Sequence, residues 1–260
     1  MRIKTYVINL KDASDRRNAV LAELSEYPFM DPELIEAVDG RKMSPKEVNE
    51  RFDVRKFRDI WARDVALGEI GCTLSHRECY RKLLESSEEI ALIVEDDVRF
   101  LAGEKTVKQI VLEMIGEMSD NPTVATLTRH MVYYTKSEYQ VGEYSFCRVW
   151  SAWGTCAYLI NRKAAEILLR KIPIPYSVAD DFRDMDKIGI KIMGVYPMLA
   201  IGKSEMGEVS SLIPGRSGDN SCIYNQLRIY LQGKLRGFFI RINYLKGRKD
   251  PMKIVDTRNS

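Results

Sequence analysis

Three adjacent carboxylates, Glu95, Asp96 and Asp97, directly follow an apolar stretch of the chain. Residues 90–94 are all apolar and rich in β-branched types, which indicates a strand buried on both faces. Charges at the edge of a core must be paired, hydrogen-bonded or bound to a metal, and ligands of open α/β sheets bind at the carboxyl ends of the strands. Strand alternation would place Glu95 and Asp97 on one side and Asp96 on the other. We therefore predict a divalent cation at Asp97 with Glu95 beside it; the alternative is an acidic, solvated turn.

A second acidic cluster follows two prolines, Pro173 and Pro175, which end a predicted helix. Its four carboxylates lie within seven residues: Asp180, Asp181, Asp184 and Asp186. Acids in a helix start complement the helix dipole. An acid held near other acids also has a raised pKa and can act as a general base. Asp180 and Asp181 are both candidates for that base, and the sequence leaves the choice between them open.

Two strand ends could hold phosphate and ribose groups. A first strand over residues 4–10 leads into a helix that Asp12 or Ser14 could cap, and Arg16 in its first turn suits either a phosphate or a surface ion pair. A second strand over residues 34–38 ends at Asp39, Gly40 and Arg41. This motif indicates a turn, and an acid there is also where nucleotide-binding α/β folds hold ribose hydroxyls.

Helical spacing of apolar residues predicts an amphipathic helix over residues 67–85. Its first turn contains Gly68 and Gly71, which lower helix stability and so suggest close approach of backbone or ligand. Cys72, His76 and Cys79 recur at i, i+4 and i+7, as metal ligands can, but the sequence offers no suitable fourth ligand nearby, so structural zinc is not expected. His76 is predicted to be a hydrogen-bonded residue of the interior or the cleft wall.

Composition predicts an ordinary globular chain. Its 260 residues can form one substantial core with a small appendage. The first residues resemble a strand more than a signal peptide, and no stretch has the length of a membrane span. The five scattered cysteines indicate reduced thiols and a cytoplasmic protein.

The charge is unevenly distributed. Residues 223–260 contain nine Lys or Arg and two Asp, a balance of +7 in a chain of +3, so the remaining 222 residues carry −4. We therefore divide the chain into a main domain, 1–222, and a basic amphipathic helical tail, 223–260. The tail could rest on anionic lipid or dock as a plain helix. Nucleic acid is not an expected partner, because the basic residues form one apolar-backed segment without a groove of stacked aromatics.

Four sequence blocks resemble glycosyltransferase family 25, which contains bacterial lipooligosaccharide galactosyltransferases and is similar to the collagen galactosyltransferases. The resemblance covers roughly residues 3–215. The blocks, in order, are Val7-Ile8-Asn9-Leu10 with Asp15-Arg16-Arg17, then Ala37-Val38-Asp39-Gly40, then Gly68 through His76, and Leu92 through Val98.

The resemblance implies a GT-A-like nucleotide-sugar-binding α/β fold with a central mixed, mostly parallel sheet. It also implies a UDP-sugar donor, usually UDP-galactose, Mn²⁺ or Mg²⁺ as cofactor, and inversion at the anomeric carbon. Glu95, Asp96 and Asp97 then correspond to the Asp-x-Asp motif, with Asp97 and Glu95 at the metal, or Glu95 on a sugar hydroxyl. The implied donor-binding residues are Asn9, Leu10, Arg16, Asp39, Gly40, Arg41, His76, Glu95 and Asp96.

On the acceptor side, Asp180 and Asp181 match the family's Pro-x-Asp-Asp segment. Residues 154–158 resemble the family's Gly-Thr-His-Ala-Tyr stretch, but Cys156 replaces the usual His. The expected acceptor is an oligosaccharide or glycolipid of lipooligosaccharide, lipopolysaccharide or capsule, modified at the cytoplasmic face of the inner membrane. Alternatives are another UDP-sugar donor or an inactive transferase-like adhesion or scaffold module. A third alternative is a metal-dependent phosphodiesterase or nuclease, in which clustered carboxylates hold two ions. That class would favour a second tight acidic or His cluster, and the chain has only two histidines, His76 and His130, so we do not favour this alternative.

Overall fold

The computed structural model describes residues 2–118, 120–128, 130–210 and 252–255. Nine strands of this part of the chain form one sheet, in the spatial order β11-β6-β7-β9-β5-β8-β3-β1-β2. In chain order they are β1 (Ile3–Asn9), β2 (Met30–Glu36), β3 (Ile90–Glu95), β5 (Thr123–Thr126), β6 (His130–Val141), β7 (Tyr144–Trp153), β8 (Ala157–Asn161), β9 (Lys191–Tyr196) and β11 (Met252–Val255). Two short strands, β4 (Val98–Phe100) and β10 (Ala200–Gly202), pair antiparallel beside it.

The sheet is mixed, as predicted. β1 pairs in parallel with β2 and β3, and β5 pairs in parallel with β9. β8 runs antiparallel between β3 and β5, and the hairpin of β6 and β7 joins the sheet antiparallel to β9. Most of these strands therefore point in one direction, while β7, β8 and β11 point in the other.

Helices cover both faces of the sheet. They are α1 (Ser14–Ser25), α2 (Pro45–Arg51), α3 (Val54–Trp61), α4 (Leu67–Glu85), α5 (Glu104–Met118), α6 (Arg162–Lys171) and α7 (Phe182–Lys187), with a 3-10 turn at Gly40–Lys42. Alternate residues of the central strands pack on opposite layers. Leu92 and Val94 of β3 lie in the core beneath α1 and α5, whereas Ala91 and Ile93 pack toward α4, α6 and α7. The prediction that β3 is buried on both faces is confirmed.

Several predicted elements differ in detail. β2 begins earlier than residue 34 and ends at Glu36, because its pairing with β1 extends from Ile3↔Met30 to Asn9↔Glu36. The predicted side-chain cap of α1 is wrong: Ala13 occupies that position, and Asp12 pairs with Lys42 at 2.6 Å instead. Asn161 does cap α6, accepting a hydrogen bond from the Ala164 amide at 3.0 Å.

Glycine is required where the 3-10 turn meets α4. A Cβ on Gly71 would lie 2.4 Å from the Val38 carbonyl oxygen and 2.7 Å from the Gly40 nitrogen, and a Cβ on Gly40 would lie 1.8 Å from the Leu67 oxygen. Ser75 adds a hydrogen bond from the Val38 amide at 2.8 Å. Gly71 of the 67–85 helix thus permits the close backbone approach that the sequence suggested, whereas for Gly68 this stays a prediction.

The C-terminal tail falls almost wholly outside the described residues, so the predicted helix with its apolar stripe, and its lipid contact, stay predictions. The short segment within the described residues, β11, is a strand that pairs antiparallel with β6. Among the residues that the structure describes, the helices are too short or too polar to cross a membrane.

Replacing Gly71 with Ala is expected to lower the free energy of unfolding by about 2 kcal/mol, because the added methyl forces the two backbones apart. Gly116→Ala is the matched control: this glycine also lies inside a helix, α5, where a Cβ would meet nothing within 4 Å. That variant should gain up to about 1 kcal/mol from helix propensity. Urea denaturation of the purified variants measures both changes, and equal stabilities for Gly71→Ala and the parent would contradict the close-packing argument.

Candidate active site

An open cleft lies at the carboxyl ends of β1, β2 and β3, against the first turns of α4. This is where a ligand site of an α/β sheet is expected, because the ends of parallel strands leave a crevice there. Most of the residues predicted for donor and metal binding line this cleft together: Leu10, Arg16, Asp39, Gly40, Arg41, His76, Glu95, Asp96 and Asp97.

The strand ends within the acidic triplet, earlier than the predicted alternation of side chains assumes. β3 ends at Glu95, and Asp96 and Asp97 form the turn before β4. The predicted separation of Asp96 from its two neighbours is therefore wrong, since all three carboxylates line the same cleft. Each of them has a different set of partners.

Asp96 is buried and pairs with the guanidinium of Arg16. Its Oδ1 accepts a hydrogen bond from Arg16 Nε at 2.7 Å, and its Oδ2 accepts one from the Asn9 amide at 2.8 Å. Burial raises the pKa of Asp96 above its ordinary value, although Arg16 and Asn9 act in the opposite direction. Asp96 and Asn9 thus fix the Arg16 guanidinium in the cleft wall.

Asp97 has an unusual buried oxygen. Its Oδ2 accepts a hydrogen bond from the Ser204 amide at 3.2 Å and lies 3.6 Å from Arg16 Nη2. Its Oδ1 is buried and has no hydrogen-bond partner among the described residues. An unpartnered carboxylate oxygen in such a place is costly. A hard divalent cation would satisfy it, so the residues present fit the metal that the resemblance implies.

Glu95 closes a buried polar network. It accepts hydrogen bonds from Thr155 Oγ1 at 2.7 Å and from His76 Nε2 at 3.3 Å. His76 Nδ1 lies 2.9 Å from the Tyr158 hydroxyl, which lies 3.0 Å from the Tyr80 hydroxyl. An ionised carboxylate only accepts, so in the neutral imidazole Nε2 carries the hydrogen and Nδ1 accepts from Tyr158. His76 is 1% exposed and bonded at both ring nitrogens, as predicted for a residue of the cleft wall.

The network changes the acidity of its members. Burial disfavours ionised Glu95, but the hydrogen bonds from His76 and Thr155 together with the charge of Arg16 outweigh this and lower the Glu95 pKa below its ordinary value of 4.5. The Glu95 side chain stays 31% exposed at the cleft. Burial raises the pKa of the Tyr158 hydroxyl well above its usual range, so that hydroxyl keeps its proton.

Asp39 and Arg41 form an ion pair at the rim of the cleft. Arg41 Nε donates to Asp39 Oδ1 at 2.7 Å, and its Nη2 donates to Asp39 Oδ2 at 2.9 Å. The hydrogen bond from Arg41 lowers the pKa of the Asp39 carboxyl and raises the pKa of the guanidinium. A ligand hydroxyl at Asp39 would have to share the carboxylate with Arg41, whose side chain is 45% exposed and can move.

The two candidate bases do not line the cleft among the residues described, and they are held differently. Asp181 caps α7: its Oδ1 accepts from the Asp184 amide at 3.3 Å and its Oδ2 from Ser177 Oγ at 2.6 Å. Asp180 Oδ2 accepts from the Gly154 amide at 3.1 Å. Because Thr155 follows Gly154 and donates to Glu95, Asp180 is joined to the cleft through this short segment.

Several residues of the site were not among the predicted ones. Thr155 and Tyr158 support Glu95 and His76, and Ser204 contributes an amide to Asp97. Thr155 and Tyr158 stand in the segment that resembles the family's Gly-Thr-His-Ala-Tyr stretch, which is the signal that could have identified them. Cys156 in the same segment is buried, and burial, with nearby carboxylates, raises its pKa, so its thiol stays protonated.

A family model described as glycosyltransferase family 25 (LPS biosynthesis protein) matches residues 2–182. The chain belongs to glycosyltransferase family 25. This confirms the resemblance of the four sequence blocks, and the α/β architecture with its mixed sheet and strand-end cleft is the GT-A-like fold that the family implies.

Relatives of family 25 share part of their length with this chain. Procollagen galactosyltransferase 2 of Homo sapiens is 31% identical over 142 residues, covering 53% of this chain and 21% of that protein. A glycosyltransferase 25 family member of Aedes aegypti is 28% identical over 181 residues, covering 68% and 29%. This chain therefore matches less than a third of the length of either relative.

Solved structures resemble the chain at low TM-scores. The UTP-bound UGPase from Acinetobacter baumannii has a TM-score of 0.42 and 11% identity, covering 75% of this chain and 85% of that one. The apo form of mouse xyloside xylosyltransferase 1 has a TM-score of 0.39 and 10% identity, covering 74% and 85%.

Stability is expected to depend on pH through Glu95. Its pKa is lower in the folded chain, so its contribution is present above about pH 4.5, the ordinary value, and is lost as pH falls through the folded value. Glu95→Gln should be less stable than the parent at pH 7, and this difference should shrink on acidification. Urea denaturation across pH 7 to 3 measures it, with Glu166→Gln, an exposed glutamate of α6, as control. Parallel pH profiles for the parent and Glu95→Gln would contradict the network.

Proposed function

We propose that this protein is an inverting, metal-dependent glycosyltransferase that moves galactose from UDP-galactose to a hydroxyl of a glycan acceptor, forming a β-linkage. The observation that carries the proposal is the cleft itself. There, an arginine held by Asp96 lies next to Asp97, whose buried Oδ1 has no partner among the described residues. A divalent cation would satisfy the free oxygen of Asp97, and the diphosphate of a nucleotide would pair with the guanidinium of Arg16.

Asp97, with Glu95 beside it, would hold Mn²⁺ or Mg²⁺, whose charge neutralises the diphosphate leaving group. Arg16 is suited to a phosphate oxygen, because Asp96, itself held by Asn9, keeps the Arg16 guanidinium in the cleft with 20% of the side chain exposed. Asp39 would hold the ribose hydroxyls after exchanging part of its contact with Arg41. Leu10, Gly40 and His76 line the same cleft and would shape the donor site.

Asp180 is our choice for the general base. Both carboxylate oxygens of Asp181 already accept hydrogen bonds that start α7 and anchor Ser177, so Asp181 serves the local structure. Asp180 Oδ2 accepts a hydrogen bond from the Gly154 amide, and the next residue, Thr155, contacts Glu95 in the cleft. An acceptor hydroxyl bound on this side of the cleft would give its proton to Asp180 as its oxygen attacks the anomeric carbon.

The acceptor we propose is an oligosaccharide or glycolipid of lipooligosaccharide, lipopolysaccharide or capsule, modified at the cytoplasmic face of the inner membrane. The description of the family as LPS biosynthesis protein supports the acceptor class, and the names of the procollagen galactosyltransferases support galactose as the sugar. The +7 charge of residues 223–260 supports attachment to anionic lipid, with that segment lying almost wholly outside the described residues.

Purified protein with Mn²⁺ is expected to release UDP from UDP-galactose faster than from other UDP-sugars, and chelation should stop the release. Asp97→Asn should lower this rate by about 10²–10³-fold, because the charge at the leaving group is no longer neutralised. Its folding should be nearly intact, which circular dichroism can check. The control is Asp64→Asn, an exposed aspartate. Full activity of Asp97→Asn would refute its metal role, and UDP binding without turnover of any UDP-sugar would favour the inactive transferase-like module.

Asp180→Asn and Asp181→Asn form a matched pair that tests the base. Asp180→Asn should lower the turnover number by about 10²–10⁴-fold while donor affinity by calorimetry stays unchanged. Asp181→Asn should keep most activity and stability, because Asn is as good a helix cap as Asp. The opposite result, with loss confined to Asp181→Asn, would assign the base to Asp181.

A further inference from the structure

We propose that Cys72, His76 and Glu95 form a second metal site, one that takes a thiophilic divalent cation of the Zn²⁺ type. Each residue offers one ligand atom, and the thiol sulfur, ring nitrogen and carboxylate oxygen all lie within 4.8 Å of one another. Bond lengths of about 2.3 Å for Zn–S and about 2.0–2.2 Å for Zn–N and Zn–O place tetrahedral ligands about 3.3–3.7 Å apart, so side-chain rotations within this cluster would complete the site. This site shares Glu95 with the oxygen site proposed at Asp97 but differs from it in its sulfur and nitrogen ligands.

Rigid elements hold the three ligands. Cys72 and His76 lie four residues apart on α4, so they share one face of the helix. Glu95 ends β3, whose pairing with β1 and β8 fixes its position. All three line the cleft, which gives a cation an entry path. Cys79, which shares the helical spacing of the other two, is fully buried in the core between α4 and the sheet and does not take part.

The ligand types decide which cation fits. A thiolate and an imidazole favour Zn²⁺ over Mg²⁺, Ca²⁺ or Mn²⁺, which prefer oxygen. The thiolate and the carboxylate also balance the two positive charges. Three protein ligands leave a fourth position for water or another ligand, which is the pattern of open zinc sites and not of closed structural ones. That the described residues offer three ligands and not four therefore does not argue against this site.

The surrounding residues already orient two of the ligands. A zinc-bound histidine normally gives its other ring N–H to a hydrogen-bond acceptor. His76 Nδ1 lies 2.9 Å from the Tyr158 hydroxyl, which can accept that hydrogen when Nε2 binds the cation. Thr155 Oγ1 holds Glu95 Oε1 at 2.7 Å. Cation binding would replace the 3.3 Å contact between His76 and Glu95 and release the thiol proton of Cys72.

Titration of the full, reduced and metal-free chain with Co²⁺ tests the site. Co²⁺ takes the same ligands as Zn²⁺, and its bond to a thiolate produces a sulfur-to-cobalt charge-transfer absorption. We expect this absorption to saturate at one Co²⁺ per chain and to disappear when Zn²⁺ displaces it. Cys72→Ser should remove the absorption, and Tyr158→Phe should weaken Zn²⁺ affinity by about 10–100-fold through loss of the His76 partner.

Two controls separate this site from other sources of the signal. Cys147→Ser changes a buried cysteine of β7 and should leave the absorption unchanged. Asp97→Asn should also keep it, because Asp97 is not a ligand of this cation, so the outcome is independent of the proposed sugar transfer. Glu95→Gln provides a second ligand variant if Cys72→Ser does not fold. The proposal is overturned if the parent chain gives no charge-transfer absorption, or if a folded Cys72→Ser variant keeps it.

Discussion

The site depends on how three neighbouring carboxylates are accommodated at the end of a buried strand. Moving a carboxylate out of water is costly unless hydrogen bonds or opposite charges compensate. Here Arg16 and Asn9 compensate Asp96, His76 and Thr155 compensate Glu95, and Asp97 keeps one buried oxygen without a partner among the described residues. The residues that satisfy the first two acids therefore also build the cleft wall, and the metal proposed at Asp97 would satisfy the third.

Close backbone packing positions the wall of the cleft that lies opposite the three acidic residues. The 3-10 turn after β2 lies so close to the first turn of α4 that neither Gly40 nor Gly71 has room for a side chain. This contact brings Asp39 and Arg41 to the rim above the acids, while α4 brings Cys72 and His76 to the other side of Glu95. Gly40 and Gly71 thus set the cleft geometry without contributing any functional group, which explains why Gly71 occurs in a helix despite its cost in helix stability.

Hard and soft ligand atoms meet in one cleft. Asp97 offers oxygen alone, whereas Cys72 and His76 offer sulfur and nitrogen within reach of Glu95. Glu95 belongs to both groups, because it is the last residue of β3, two positions before Asp97, and its side chain also contacts His76 of α4. A single carboxylate therefore couples the two proposed cation sites, and its hydrogen bonds from His76 and Thr155 decide how freely it can turn toward either one.

The sequence by itself determined the strand before Glu95, the helix over 67–85, the cap at Asn161 and the family, because apolar periodicity and local motifs are encoded over short distances. It did not determine where Asp96 points, since alternation stops when a strand ends in a turn. It also did not bring Asp180 to the Gly154 amide or Glu95 to Cys72. Those relations join residues that lie far apart in the chain, and only the packing of α4, β3 and the Gly154–Thr155 segment against one another decided them.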